Sequence, residues 1–192
     1  MDLVRVTADN LDDAVSVQEE LFPGESGRAN YEEAVYGMSG YRYYLLYEDG
    51  ECVGVTGLYW YPEDPDSAWL GWFGIREEYR RRHLGTLALK RFEEMAAKQG
   101  FRYARLYTGA DDNEAAVAFY RACGYICEPY MNPQDSAGAE ERMLIFSKPL
   151  TDEPLVPWNS RSIHLTEQIR KQNRYSGQPD SDAGIREPDP KG

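Results

Sequence analysis

The sequence has little of what would mark a disulfide-built, membrane-spanning or nucleic-acid-coating chain. Among 192 residues there are three cysteines, Cys52, Cys123 and Cys127, an odd number without metal-ligand spacing. The two histidines, His83 and His164, lie too far from them in sequence to complete a site. Reduced thiols and no metal are therefore expected. No apolar run approaches the ~18 residues of a membrane span, and Val4 and Val6 sit among Asp2, Arg5 and Asp9 where a leader would be apolar. The chain reads as soluble and cytoplasmic, with no membrane partner. Positive charge is scarce: 21 Lys and Arg against 33 Asp and Glu leave a net charge of −12, which argues against nucleic acid as a partner. There is no internal repeat.

What is present is one core's worth of apolar residues, 42% of the chain, and an uneven texture. Up to Leu150 there are 15 basic and 26 acidic residues, and beyond it 6 and 7, so the acidity belongs to the patterned part. Within that acidic part "EEYRRRHLGTLAL", residues 77 to 89, places three arginines and a histidine just ahead of a leucine-rich helical run. A local anion site explains that contrast better than a general basic face does.

The patterned part alternates. "DLVRVT" reads as a strand, and Leu11, Val15, Gln18 and Phe22 recur at helical spacing. "NYEEAVYGM" carries a helix-start signal, Asn30 as cap with Glu33 three residues on. "YRYYLLYE" and "CVGVTGLYWY" form a hairpin about an Asp49-Gly50 turn, and a loop "PEDPDS" leads to a third strand "AWLGWFGI". Leu84, Ala88, Phe92 and Met95 mark a helix ending near Gly100. "YARLYT" is a strand, "NEAAVAFYRAC" a helix stopped by Gly124, and "YICEPYM" and "RMLIFSK" are the closing strands. From Thr151 the pattern fades. Residues 1–150 form the expected domain, and 151–192 an extension with a short helix near 163–174, able to dock on the domain or on a second subunit in a homodimer, then a disordered tail.

The order of elements and two motifs resemble the GNAT superfamily, the acetyl-CoA-dependent N-acetyltransferases, over roughly residues 3 to 148. The first motif is Arg80-Arg81-Arg82-His83-Leu84-Gly85, similar to the family's Arg or Gln, two residues, Gly, one residue, Gly or Ala. His83 departs from it. The second is "NEAAVAFYRACGY", through Asn113, Ala116, Tyr120, Gly124 and Tyr125. The resemblance implies an α/β (α+β) fold, the GNAT fold: a mixed, mostly antiparallel sheet of about six or seven strands with splayed central strands, flanked by about four helices. It also implies acetyl-CoA as co-substrate.

A strand turning sharply into a helix leaves unpaired amides at the positive end of the helix dipole, where a pyrophosphate can be held. Residues 80 to 86 would be that cradle, through the backbone of Arg82, Leu84, Gly85 and Thr86, with the choice among the side chains of Arg80, Arg81, Arg82 and His83 left open. If position 83 needs a positive φ, His tolerates it less well than Gly and better than a β-branched residue. The resemblance further implies that the backbone around Phe73, Gly74 and Ile75 pairs with pantetheine as an added strand, and that Asn113, Ala116 and Tyr120 line the cofactor. It makes Tyr120 the general acid: an ordinary tyrosine, pKa near 10, keeps its proton at neutral pH and can give it to the leaving thiolate.

Other roles stay open. Cys123 has no base beside it and reads as a small packed residue rather than an acyl-enzyme nucleophile. Glu19, Glu20, Glu63 and Asp66 are candidate bases by position alone, and a water chain or an amine arriving neutral serves equally. Acid-rich loops, including "MNPQDSAGAEE", favour a cationic amine of a small molecule or protein as acceptor, although solubility explains the same acids. Two functions fit: an N-acetyltransferase working by direct attack in a ternary complex, or a non-catalytic acyl-CoA-binding sensor or interaction module of the same fold.

Overall fold

The computed structural model describes residues 1–62, 64–110, 113–129 and 143–158. Glu63, the acidic loop at 131–141 and everything after Trp158, including the helix expected at 163–174 and the tail, lie outside the described residues. The elements run β1 (Asp2–Arg5), α1 (Leu11–Leu21), α2 (Arg28–Tyr36), β2 (Arg42–Glu48), β3 (Glu51–Tyr61), β4 (Asp64–Ile75), α3 (Leu84–Lys98), β5 (Tyr103–Gly109), α4 (Glu114–Ala122), β6 (Ile126–Pro129) and β7 (Met143–Pro149). They form one seven-stranded sheet in the order β1-β2-β3-β4-β5-β7-β6, antiparallel except where β4 meets β5.

Local chemistry accounts for most of these elements. Asp49 and Gly50 both take positive φ, 52° and 84°, as the tight turn between right-twisted strands requires, and Glu48 pairs with Glu51 across it. α1 presents Leu11, Ala14, Val15 and Val17 to Tyr43, Leu45 and Val55 on one face of the sheet. α3 presents Leu89, Phe92 and Ala96 to Leu58, Ala68, Leu70, Ala104 and Phe146 on the other. Each fully buried Val, Leu or Phe stabilises the fold by about 1.5–3 kcal/mol.

Two expectations fail locally. α2 starts at Arg28 behind Gly27, not at Asn30. The Gly27 amide is held by Gln18 Oε1 at 2.6 Å, Asn30 Oδ1 accepts the Trp72 indole N–H at 2.9 Å, and Glu33 reaches forward to the Ser39 amide. Long-range partners thus override the local capping signal. "PEDPDS" is not a loop, since β4 already begins at Asp64, paired with Tyr61. Pro65 falls in a register irregularity between Tyr59 and Tyr61, where its missing N–H breaks no ladder bond.

Among the described residues no helix covers the α1/α2 face over β4, β5 and β7. There Tyr59, Tyr61, Trp69 and Ile145 pack beneath Trp158, which meets Trp69 edge-on at 5.0 Å. Beside them lies a fully buried Arg105. It donates to Ser67 Oγ at 3.0 Å, Ser147 Oγ at 2.6 Å and the Val156 carbonyl at 2.7 Å, and faces Asp64 at 3.8 Å. Tyr103 donates to the Pro154 carbonyl, and the Trp158 amide donates to Glu128. Residues 151–158 are therefore strapped onto the sheet. Among the described residues no helix is long and apolar enough to cross a membrane.

Candidate active site

β4 and β5 are paired only at Ser67–Tyr103, Ala68–Ala104 and Trp69–Arg105. Beyond that point β4 continues along β3 to Ile75, and β5 along β7 to Gly109. The two central strands splay, and a wedge opens between them. A bulge in β4 sharpens the parting: Val55 pairs with Gly74 but Gly57 with Gly71, and Trp72 in the extra turn of chain has φ 40°. Its indole tucks under the α1–α2 connection, edge-on to Phe22 at 5.2 Å. Gly74 makes room for that connection, because a Cβ there would stand 3.1 Å from Leu21 and 3.3 Å from Phe22.

At one end of the wedge α3 begins. After the turn at Glu77–Tyr79 the chain is extended at Arg80, left-handed at Arg81 (φ 61°) and left-handed again at His83 (φ 60°) before the helix starts at Leu84. Left-handed backbone at non-glycine residues costs of order 1–3 kcal/mol each. The alternation makes a concave nest of amides of the kind that holds anions. The His83 side chain makes no capping bond, and Leu87 is the first amide with a helical partner, the His83 carbonyl at 3.1 Å. Among the described residues nothing accepts from the amides of Leu84, Gly85 and Thr86.

The basic side chains divide. Arg80 Nε donates back to the Ile75 carbonyl at 2.9 Å. The Arg82 guanidinium lies 5.4 Å from the Tyr79 ring centre, beside a hollow of about 340 Å³ also lined by Glu48, Asp49, Glu51 and Leu84. Arg81 and His83 are exposed. The Arg76 amide bonds the Val53 carbonyl, so by strand alternation the peptide groups of Gly74 face β3 while those of Phe73 and Ile75 face the wedge.

The wedge wall is aromatic. A Cβ on Gly85 would lie 3.6 Å from Phe119 of α4, whose ring stacks on Phe73 at 6.1 Å and meets Tyr120 at 5.3 Å. Tyr120 is 7% exposed and also packs on Phe146 and Tyr125. Burial, and secondarily Cys123, pushes its phenol well above the ordinary tyrosine value, so it is protonated at neutral pH. At the head of α4, Asn113 is exposed and its carbonyl takes the Val117 amide, while Ala116 packs into the α3-side core.

The chain as a whole resembles known proteins. The family model described as "Acetyltransferase (GNAT) family" matches residues 11–125. The chain belongs to the GNAT acetyltransferase family. A Xenopus tropicalis protein named "Probable N-acetyltransferase 14" is 34% identical over 80 residues, which are 42% of this chain and 38% of that protein, so the match spans well under half of that relative's length. The ribosomal-protein-S18-alanine N-acetyltransferase of Escherichia coli aligns with a TM-score of 0.62 at 16% identity, over 82% of this chain and 98% of that one. An aminoglycoside 6'-N-acetyltransferase complexed with coenzyme A gives 0.64 at 17% identity, over 81% and 100%. At these identities the structural likeness is one of fold.

Within this GNAT domain the other sequence candidates fall apart from the wedge or into pairs. Glu20 is bound to Arg76 at 2.9 Å and Asp66 to Arg102 at 3.2 Å, while Glu19 is exposed on α1. The Cys123 thiol is pushed up, by burial first and by Glu93 next, which disfavours a thiolate nucleophile. Sequence reasoning passed over two features. The buried Arg105–Asp64 pair carries no local signal, because Arg105 on β5 draws its partners from three other segments, β4, β7 and the strap at 151–158. Tyr43, one of 15 tyrosines, reaches the wedge across Gly57 and Gly71 of two other strands, a juxtaposition with no local signal.

Proposed function

We propose that this chain is an N-acetyltransferase carrying an acetyl group from acetyl-CoA to a primary amine of a small molecule or protein, by direct attack in a ternary complex. The observation that carries the reading is contiguity: the unpaired amides of Leu84, Gly85 and Thr86 adjoin Phe119, and Phe119 and Phe73 adjoin Tyr120, along one wedge. The amides suit a pyrophosphate, with exposed Arg81 and His83 beside it. Arg80 acts as a fastener of the turn, since its Nε is already engaged. The open peptide edge at Phe73 suits an extended amide-bearing arm added as a strand, and Asn113 and Ala116 face that arm from α4.

The chemistry is then positional. Held at the end of the arm, the thioester carbon lies beside Tyr120; as the amine nitrogen bonds to it and the C–S bond breaks, the phenol gives its proton to the sulfur and the amine's proton leaves through water. Neither Glu20 nor Asp66 serves as the base, both being ion-paired. In this reading no metal takes part, and the cytoplasm is a compartment that supplies the acetyl-CoA it needs.

Thiol release from acetyl-CoA, followed with a panel of polyamines, aminoglycosides, lysine and short peptides, tests it. Turnover with at least one amine is expected, and Tyr120→Phe should lower kcat and kcat/KM together by about a hundredfold to ten-thousandfold with acetyl-CoA affinity unchanged. Acetyl-CoA binding without thiol release from any amine would favour the non-catalytic acyl-CoA-binding module instead.

A further inference from the structure

Tyr43 belongs to β2, two strands from the wedge, yet its hydroxyl arrives there because two side chains are missing. Gly57 and Gly71 are cross-strand partners on β3 and β4. A Cβ on Gly57 would overlap the Tyr43 ring, and one on Gly71 would stand 3.0 Å from the hydroxyl oxygen. The ring lies along this side-chain-free path, 3% exposed, with Tyr31 edge-on at 4.9 Å. Gly71 is two residues past Trp69, the last β4 residue paired with β5, and immediately precedes the bulge at Trp72. The hydroxyl therefore stands where the strands part, near enough to Tyr107 of β5 for that phenol to add to the upward shift that burial gives Tyr43.

The face on which it stands is decisive. Phe73, Phe119 and Tyr120 pack with the α3/α4 core, whereas Tyr43 packs with α1 and α2. One phenol thus stands on each face of the same split. An acyl carbon held in the split, with its leaving sulfur toward Tyr120, would turn its other side toward Tyr43. Burial keeps the Tyr43 phenol protonated, so its oxygen offers a lone pair without a charge.

We infer that the Tyr43 hydroxyl is the acceptor-binding group of this site: its oxygen accepts a hydrogen bond from the attacking nitrogen and fixes that nitrogen over the acyl carbon. The inference rests on the acetyl-CoA reading above and deepens it. No proton is transferred to Tyr43, because burial keeps it as the neutral phenol, which already holds its proton and whose oxygen is a negligible base; the bond positions the amine and selects nucleophiles that carry an N–H.

Two coenzyme A thioethers isolate this contact without knowledge of the natural acceptor. S-carbamidomethyl-CoA ends in an amide NH2 beyond the acyl position, and S-acetonyl-CoA ends in a methyl of the same shape. Calorimetry should show the parent binding the amide about fivefold tighter, as one net hydrogen bond implies. In Tyr43→Phe the ratio should fall to about one while S-acetonyl-CoA affinity stays within about twofold of the parent. Gly71→Ala, which crowds the hydroxyl, should shrink the ratio as well and provides the test if Tyr43→Phe does not fold. A parent ratio near one, or a ratio that survives in both variants, overturns the inference. Failure of the parent to bind either thioether overturns the acyl-CoA reading itself.

Discussion

Arg80 Nε donates to the carbonyl of Ile75 at 2.9 Å, closing the turn between the end of β4 and the start of α3. The first arginine of the basic run is thereby structural, and under the proposed function any charge facing the cofactor would come from its exposed neighbours. Arg80→Ala should lower stability by about 1–2 kcal/mol and weaken acetyl-CoA binding through the loosened turn. Arg81→Ala should leave stability within about 0.5 kcal/mol, and whatever affinity it loses should shrink with added salt. Thermal melts, with calorimetry at low and high salt, separate the two.

His83 occupies a left-handed position that glycine would fill without strain. Set against the greater entropy of glycine in the unfolded chain, His83→Gly should gain about 0.5–1 kcal/mol and retain acetyl-CoA affinity, because the site there is backbone. His83→Val, β-branched, should lose at least about 1 kcal/mol. Urea titrations of the two variants beside the parent give the comparison.

Features set by neighbouring residues were legible in the sequence, and features set by distant ones were not. The Asp49-Gly50 turn, the α3 face and the free amides at the start of α3 follow from local chemistry, and the structure has all three where the spacing puts them. The α2 start was misplaced because Gly27 and Asn30 are fixed by Gln18 and Trp72, residues of other elements. The strand through Pro65 was hidden by composition that elsewhere makes a loop. The strap at 151–158 shows in the sequence only as a fading pattern, since its hold on Arg105 uses a backbone carbonyl that any residue at position 156 would supply.

The buried phenols make alkali a selective stress. Burial raises the values of Tyr31, Tyr43, Tyr59, Tyr61, Tyr120 and Tyr125 above the ordinary 10, whereas the same groups ionise near 10 once unfolded. Above pH ~10 the unfolded chain therefore binds fewer protons than the folded one, and stability should be full below that pH and fall as pH rises beyond it. Denaturant midpoints from pH 8 to 11 should show the decline, with tyrosinate absorbance of these residues appearing only on unfolding. A midpoint that holds to pH 11 would mean that these phenols ionise in place.

The claim on which the rest depends is that the unpaired amides at the start of α3 hold acetyl-CoA. Gly85→Glu tests it most directly. The site has room at ordinary contact distance from Phe119, and a carboxylate in the first turn favours the helix dipole, so the variant should fold as well as the parent. The same carboxylate would occupy and repel the ground a pyrophosphate needs. Calorimetric titration with acetyl-CoA should show affinity lowered at least about a hundredfold, roughly 2.7 kcal/mol, with Gly85→Ala close to the parent. A folded Gly85→Glu protein that binds acetyl-CoA with unchanged affinity would contradict the account.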